Sequence, residues 1–273
     1  MATERAQSQE PAIYGELADW FPLLTPPEDY AEDAAEILGL LRASATRPIG
    51  TVLELGSGGG HLASHLREAT PPVRLTLVDR APEMLAVSAR LNPGVEHVVG
   101  DMFGVRLGRT FDAVLVHDAA SHVVSCSALA ALARTCRAHL ADGGVAVACP
   151  DHVAETFVPS TERGGVDAAD GTRGLRYVQR DHDPDPSDDV YVADLEMELR
   201  EHVPGGHTVR TVRDRLVMGM LPRATWTRAF VDAGFASAGW VRLAARAPVG
   251  PPSHAADADG HGSWMEEVLV AVV

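Results

Sequence analysis

Lysine is missing from this chain altogether: all 23 basic residues are arginine. Its absence excludes a Schiff base, a pyridoxal anchor and the lysine of a nucleotide-phosphate loop. Positive charge is scarce in general. Against 38 acidic residues it leaves a formal net charge of −15. Such a chain can hardly assemble the basic face that nucleic acid or an anionic membrane surface requires, so a small molecule is the expected partner. Cysteine is rare too, with Cys126, Cys136 and Cys149 an odd set without CxxC spacing. They read as reduced, mostly buried thiols of a cytoplasmic protein, and no metal site is expected from them. Long apolar runs are absent. The longest, "VLVAVV" at 268–273, has the length of a strand, and the first ten residues, "MATERAQSQE", carry no apolar signal core.

What is present alternates. From Thr51 to about Cys149, short apolar runs ("TVLEL", "VRLTLV", "VEHVV", "FDAVLV", "GVAVAC") read as buried strands. Between them "HLASHLREA", "APEMLAVSARL" and "CSALAALARTCRAHL" have helical spacing. That order predicts an α/β, doubly wound, mostly parallel sheet with helices on both faces. Ahead of it, Ala34, Ile37, Leu38 and Leu41 mark a helix. Beyond Pro150 the period becomes two: Leu195, Met197 and Leu199 alternate with charged residues, which predicts an antiparallel insert with one wet face. Residues 163–174 read as loop and "DHDPDPSDD" (181–189) as a solvated acidic hairpin tip, since its spacing fails the EF-hand pattern. A helix over "PRATWTRAFVDAGF" and strands near 236–243 and 265–273 follow, with 247–263 an exposed loop. The expected organisation is an N-terminal helical lid (1–47), a core (48–150), a substrate-side insert (151–221) and a C-terminal helix with two strands (222–273).

The chemistry lies in "VLELGSGGGH", residues 52–61. A phosphate loop fails for want of lysine, and a dinucleotide GxGxxG fails because its third glycine would be His61. What remains is an acid followed by alternate glycines: Glu54, Gly56, Gly58 and Gly60. This pattern suits S-adenosylmethionine (SAM), which has no pyrophosphate to wrap and carries a cationic end that a carboxylate can hold. Asp79 ends the second strand, placed to accept ribose hydroxyls, and Asp101 follows the third, placed for an adenine amino group with Met102 or Phe103 against the ring. Either aspartate alone equally suits a helix cap or turn.

With "LTLVDRAPEML", "VVGDMF", "FDAVLVHDAASHV" and "HLADGGVAVAC", the stretch from 50 to 150 resembles the class I SAM-dependent methyltransferases. The resemblance implies a seven-stranded sheet with an antiparallel last strand and SAM as cofactor. It also implies a cofactor-binding set that includes Ser57, Arg80 and Met84. The flanking segments are similar to the amino-sugar N-methyltransferases, implying methyl transfer to N or O of a natural-product or sugar-like acceptor. The rivals are a SAM-fold catalyst such as a cyclase, and a silent SAM-binding subunit. Methyl transfer from a sulfonium needs alignment and sometimes a base. Candidates follow the fourth strand: His122 as base or acceptor-orienting group, and Asp118 to hold a cationic acceptor or cap a turn. His117 would meet the SAM amino group through its backbone carbonyl. Tyr14, in the lid, would bond the methionine carboxylate or merely anchor a helix. Were Leu195, Met197 and Leu199 covered by a second copy, the enzyme would be a homodimer.

Overall fold

The structure is a computed structural model that describes residues 11–243 and 267–273. The loop expected over 247–263 and the polar first ten residues lie outside them. The N-terminal segment runs through short 3-10 turns (Ala12–Tyr14, Ala18–Trp20), helix α1 (Phe21–Leu24), a further turn at Pro27–Tyr30 and helix α2 (Ala31–Ser44). The core then alternates: β1 (Thr51–Leu55), α3 (His61–Leu66), β2 (Arg74–Asp79), α4 (Pro82–Leu91), β3 (Glu96–Val99), β4 (Phe111–Val116), α5 (Cys126–Ala138) and β5 (Leu140–Ala148). Strands β6 (Ser160–Gly164), β7 (Arg173–His182), β8 (Val190–Val203) and β9 (Gly206–Gly219) follow, then α6 (Arg223–Asp232), β10 (Ser237–Arg242) and β11 (Glu267–Val272).

Seven strands form the main sheet in the order β10-β11-β5-β4-β1-β2-β3. β1 to β5 are parallel, and β11 runs antiparallel to both β5 and β10. The expected doubly wound, seven-stranded fold with a reversed last strand is present. Its strands read as continuous apolar runs because both faces are covered. Leu53, Leu55, Val114 and Val116 pack on one side with Leu129 and Leu132 of α5 and with Trp226 and Phe230 of α6. Val52, Leu75, Leu77 and Leu115 pack on the other with Ile37, Leu38 and Leu41 of α2. Those α2 residues recur three and four apart and so share one helix face. Helix α5 begins where Ser125 Oγ accepts the Ala128 N–H at 3.2 Å, satisfying a donor that the first turn leaves free.

The insert forms a second, wholly antiparallel sheet, β6-β7-β8-β9. Leu195, Met197 and Leu199 are buried as alternation requires, but their cover comes from this same chain. Ile13, Leu17, Trp20 and Leu23 of the N-terminal segment complete that cluster. Asp214 on β9 fastens it further by accepting the backbone N–H groups of Ala12 and Ile13, both at 3.0 Å. The face offered as ground for a homodimer is therefore filled from within.

Candidate active site

The glycine loop crosses from β1 to α3 with Gly56, Gly58 and Gly60 at φ of 72°, 51° and 72°, a left-handed backbone that side chains resist. Space is equally short. A Cβ on Gly56 would strike Ala119, and one on Gly60 would strike Ser88 and Asn92. Asn92 Nδ2 also donates to the Gly60 carbonyl at 2.8 Å, fixing the loop exit to α4. Glu54, at the end of β1, is 3% exposed, and burial above all pushes its carboxyl up to about 8. Its Oε2, the Ser57 hydroxyl and His117 Nε2 are all buried with no hydrogen-bond partner among the described residues.

The expected ribose and adenine residues line the carboxyl edge of the same sheet, where open α/β sheets take ligands. Asp79 ends β2. One of its oxygens accepts the Gly58 N–H at 2.7 Å and the other the Ala81 N–H at 2.9 Å. A carboxylate offers about four lone-pair positions, so two remain for hydroxyls. Arg80 follows at the surface, and Met84 is buried on α4, its methyl beside Gly58. Asp101 is exposed after β3 and accepts the Phe103 N–H at 2.9 Å. Met102 is buried with its sulfur near Gly56, and Phe103 is half-buried.

Beyond β4, the backbone of His117 turns into a 3-10 helix (Asp118–His122), and its carbonyl accepts the Ala120 N–H at 2.9 Å. Its imidazole is engaged as well: Nδ1 lies 2.6 Å from Asp118 Oδ1. Burial pulls that imidazole down, but Asp118 outweighs it and holds it up at about 9. Asp118 Oδ2 accepts from Tyr30 Oη at 2.8 Å, so both its oxygens are committed. Partial desolvation pushes Asp118 up, yet His117 and the two hydrogen bonds keep it below the usual carboxylate range. Tyr14 reaches His122, with Oη 3.3 Å from Nε2 and the rings edge to face at 5.6 Å. Burial, then the Arg80 charge, lowers His122, which is neutral at physiological pH. Burial and nearby acids raise Tyr14, so its phenol keeps its proton.

The far wall was not legible as a site in the sequence. Asp151 follows β5, and its N–H donates to Ser121 Oγ at 2.8 Å, beside His122. Burial, then the Asp118 charge, lifts its carboxyl to about 7 while Ser121 and His117 pull it down. Next to it, His152 meets Phe157 and the buried Tyr191 of β8 edge to face, and Phe157 lies tilted against Tyr191, with centroids 5.0–5.3 Å apart. Burial, then the Asp151 charge, raises the Tyr191 phenol. The small sheet and the N-terminal segment thus meet beside the ends of β4 and β5. The only available signal was Asp151's place at a strand's carboxyl end. Among the described residues, no three His, Cys, Asp or Glu side chains are grouped to hold a metal ion.

Residues 52–144 match the family model described as a methyltransferase domain. Over 180 residues the chain is 30% identical to a dTDP-3-amino-3,6-dideoxy-alpha-D-glucopyranose N,N-dimethyltransferase of Streptomyces fradiae, covering 64% of this chain and 69% of that one. The chain belongs to the class I SAM-dependent methyltransferases. Solved structures share its fold along nearly the whole length. DesVI of Streptomyces venezuelae superposes with a TM-score of 0.72 at 22% identity, over 94% of this chain and 98% of its own. A SAM-bound amino pentose methyltransferase from Micromonospora echinaspora gives 0.67 at 23% identity, over 89% and 91%. The methyltransferase uses SAM and transfers a methyl group to a small-molecule acceptor. Its loop fits that cofactor: an unpartnered carboxyl, hydroxyl and imidazole suit an ammonium and a carboxylate. Among the described residues, no helix is long and apolar enough to cross a membrane.

Proposed function

We propose that the methyltransferase acts on the amino group of a sugar-like natural-product precursor, in the cytoplasm. Supporting this are the likeness to a relative named for an amino sugar and three thiols without a disulfide. The observation that carries the reading is the Tyr14–His122 pair at the sheet's carboxyl edge, with Asp151 held beside it through its N–H on Ser121. Glu54, Gly56, Ser57, Gly58, Gly60, Asp79, Arg80, Met84, Asp101, Met102, Phe103 and His117 form the cofactor side. Glu54 and His117 would hold the amino-acid end, Asp79 the ribose and Asp101 the adenine.

When bound, SAM supplies an electrophilic methyl group. The chain's residues do the rest. An amine enters as an ammonium, and the carboxylate of Asp151 supplies its countercharge. The neutral imidazole of His122 accepts the proton that this ammonium must lose before its lone pair is available. The Tyr14 phenol, held in its protonated form, fixes that ring's direction and bonds the acceptor. Asp118 acts through others here: it orients His117 and tethers the lid through Tyr30, and is a positioning residue. The aromatic wall of His152, Phe157 and Tyr191 excludes water and stacks on a sugar face. A homodimer would have to use surface other than the filled face, such as the open edge strand β9 with its exposed Val209 and Val217.

Paired acceptors test the reading. Nucleotide-linked amino sugars and their hydroxyl counterparts, incubated with SAM, should give methylated product and S-adenosylhomocysteine from the amines alone. Equal turnover of the hydroxyl compounds would overturn the amine assignment. Sedimentation of the free enzyme reports its assembly.

A further inference from the structure

The hairpin between β8 and β9 closes on a two-residue turn, Pro204–Gly205, which pairs Val203 with Gly206 and His202 with His207. A turn that short fixes the register, so the two histidines stand directly opposite each other. Their pair is of the non-hydrogen-bonded kind, because the His202 N–H points away from β9 to the Thr172 carbonyl at 2.7 Å. Side chains approach closest at such pairs. Alternation puts both on the face opposite Leu195, Met197 and Leu199, and both are exposed. Their rings meet edge to face with centroids 5.1 Å apart. Neither imidazole has a hydrogen bond or ion pair among the described residues.

We infer that His202 and His207 together hold one divalent transition ion of the zinc class, with water completing its shell. An imidazole nitrogen binds zinc at about 2.0–2.1 Å, which puts the ring centroid about 3.2 Å from the ion. With bond angles of about 90–110°, two such centroids lie about 4.6–5.3 Å apart. The observed separation falls inside that window. Rotation about χ2 is soft for histidine and leaves the ring centroid close to its axis, so each ring can turn a nitrogen inward without moving away. Imidazole suits zinc, copper and nickel, whereas calcium and magnesium take oxygen. The surroundings favour a cation. The chain carries a net charge of −15, and Arg200, two residues before His202 on the same face, is already paired with Asp167 at 3.0 Å. Two protein ligands make an exchangeable clamp across the hairpin, short of the closed four-ligand shell of a structural zinc site. Neither SAM nor the acceptor takes part.

Calorimetry with zinc chloride on the full chain, free of any affinity tag and in a non-chelating buffer, tests the site. The wild type should bind one ion through both histidines, melt at a higher temperature with zinc, and lose that gain when EDTA is added. His202→Gln and His207→Gln should each weaken this binding about 100-fold or more, the advantage of closing a second ligand on an ion already held. Each should also cancel the melting shift. Methyl transfer and the metal-free melting curve should be unchanged in both variants, since the two residues lie outside the proposed catalytic and cofactor sets. Diethyl pyrocarbonate labelling of the wild type, read by mass spectrometry, carries the test should a variant fold poorly: zinc should protect His202 and His207 together. Zinc affinity that survives both substitutions, no zinc binding at all, or protection of other histidines alone overturns the inference.

Discussion

Tyr30 and Asp118 stand 88 residues apart in sequence, yet the tyrosine hydroxyl donates to the carboxylate at 2.8 Å. The bond joins the N-terminal segment to the end of β4, where Asp118 also grips His117 at 2.6 Å. The N-terminal segment is thus coupled to the buried side chain of His117. Tyr30→Phe keeps the ring contacts with His61 and His117 and removes only this bond. It should lower stability by about 1 kcal/mol, a drop of roughly 2–4 °C in melting temperature for a chain of this size. An unchanged melting curve would show that the lid is held by its apolar contacts alone.

Glu54 should make cofactor binding release a proton. Its carboxyl titrates at about 8 in the free protein because it is buried, and an ammonium beside it favours the ionised form. Between pH 7 and 8, the observed binding enthalpy should therefore vary with the ionisation enthalpy of the buffer, the slope approaching one proton. Stability follows the same sign. A carboxyl raised from its ordinary 4.5 to about 8 contributes most at low pH, and that contribution is lost as pH rises through this window. Glu54→Gln should flatten the loss and weaken SAM binding together. Buffer-independent enthalpies in the wild type would place the ammonium elsewhere.

His122 should matter to turnover and little to cofactor affinity. If its imidazole takes the acceptor's proton, His122→Ala should reduce kcat by about 10²–10⁴, the usual range for a general base. The acidic limb of the pH profile should change with it. That limb falls where a neutral histidine, lowered by burial, gains its proton, whereas the acceptor amine sets its own limb in both proteins. One acceptor must be used throughout. Wild-type turnover at saturating substrate in the variant would leave alignment as the sole mechanism.

Much of this arrangement follows from local pattern. The runs "TVLEL" and "FDAVLV" coincide with β1 and β4 because each is apolar on both faces and bounded by glycine or a turn. β5 begins at Leu140, ahead of the expected Gly144, because Leu140 pairs with Phe111 before a register shift restores pairing at Val145. β6 was invisible: "STERG" has no apolar alternation, and its strand conformation comes from pairing with β7. At the hairpin tip Asp181 is buried and bonded by Gln179 and Ser160, where the sequence suggested solvent. The places of the Glu54 loop, Asp79 and Asp101 at the sheet's carboxyl edge follow from their fixed offsets from strand ends. Asp151, Tyr191 and the double role of Asp118 depend on which distant segments meet, and one-dimensional spacing carries no record of that.

The filling of the small sheet by the N-terminal segment bears on recombination between relatives. Transplanting residues 151–221 alone into another scaffold would leave Leu195, Met197 and Leu199 facing side chains that never packed with them, and Asp214 without the Ala12 and Ile13 amides it accepts. A working chimera would have to carry two separated cassettes, roughly 11–24 and 151–221, chosen as a matched set. The packed unit is thus split along the chain, and crossovers that respect only the contiguous insert would break it.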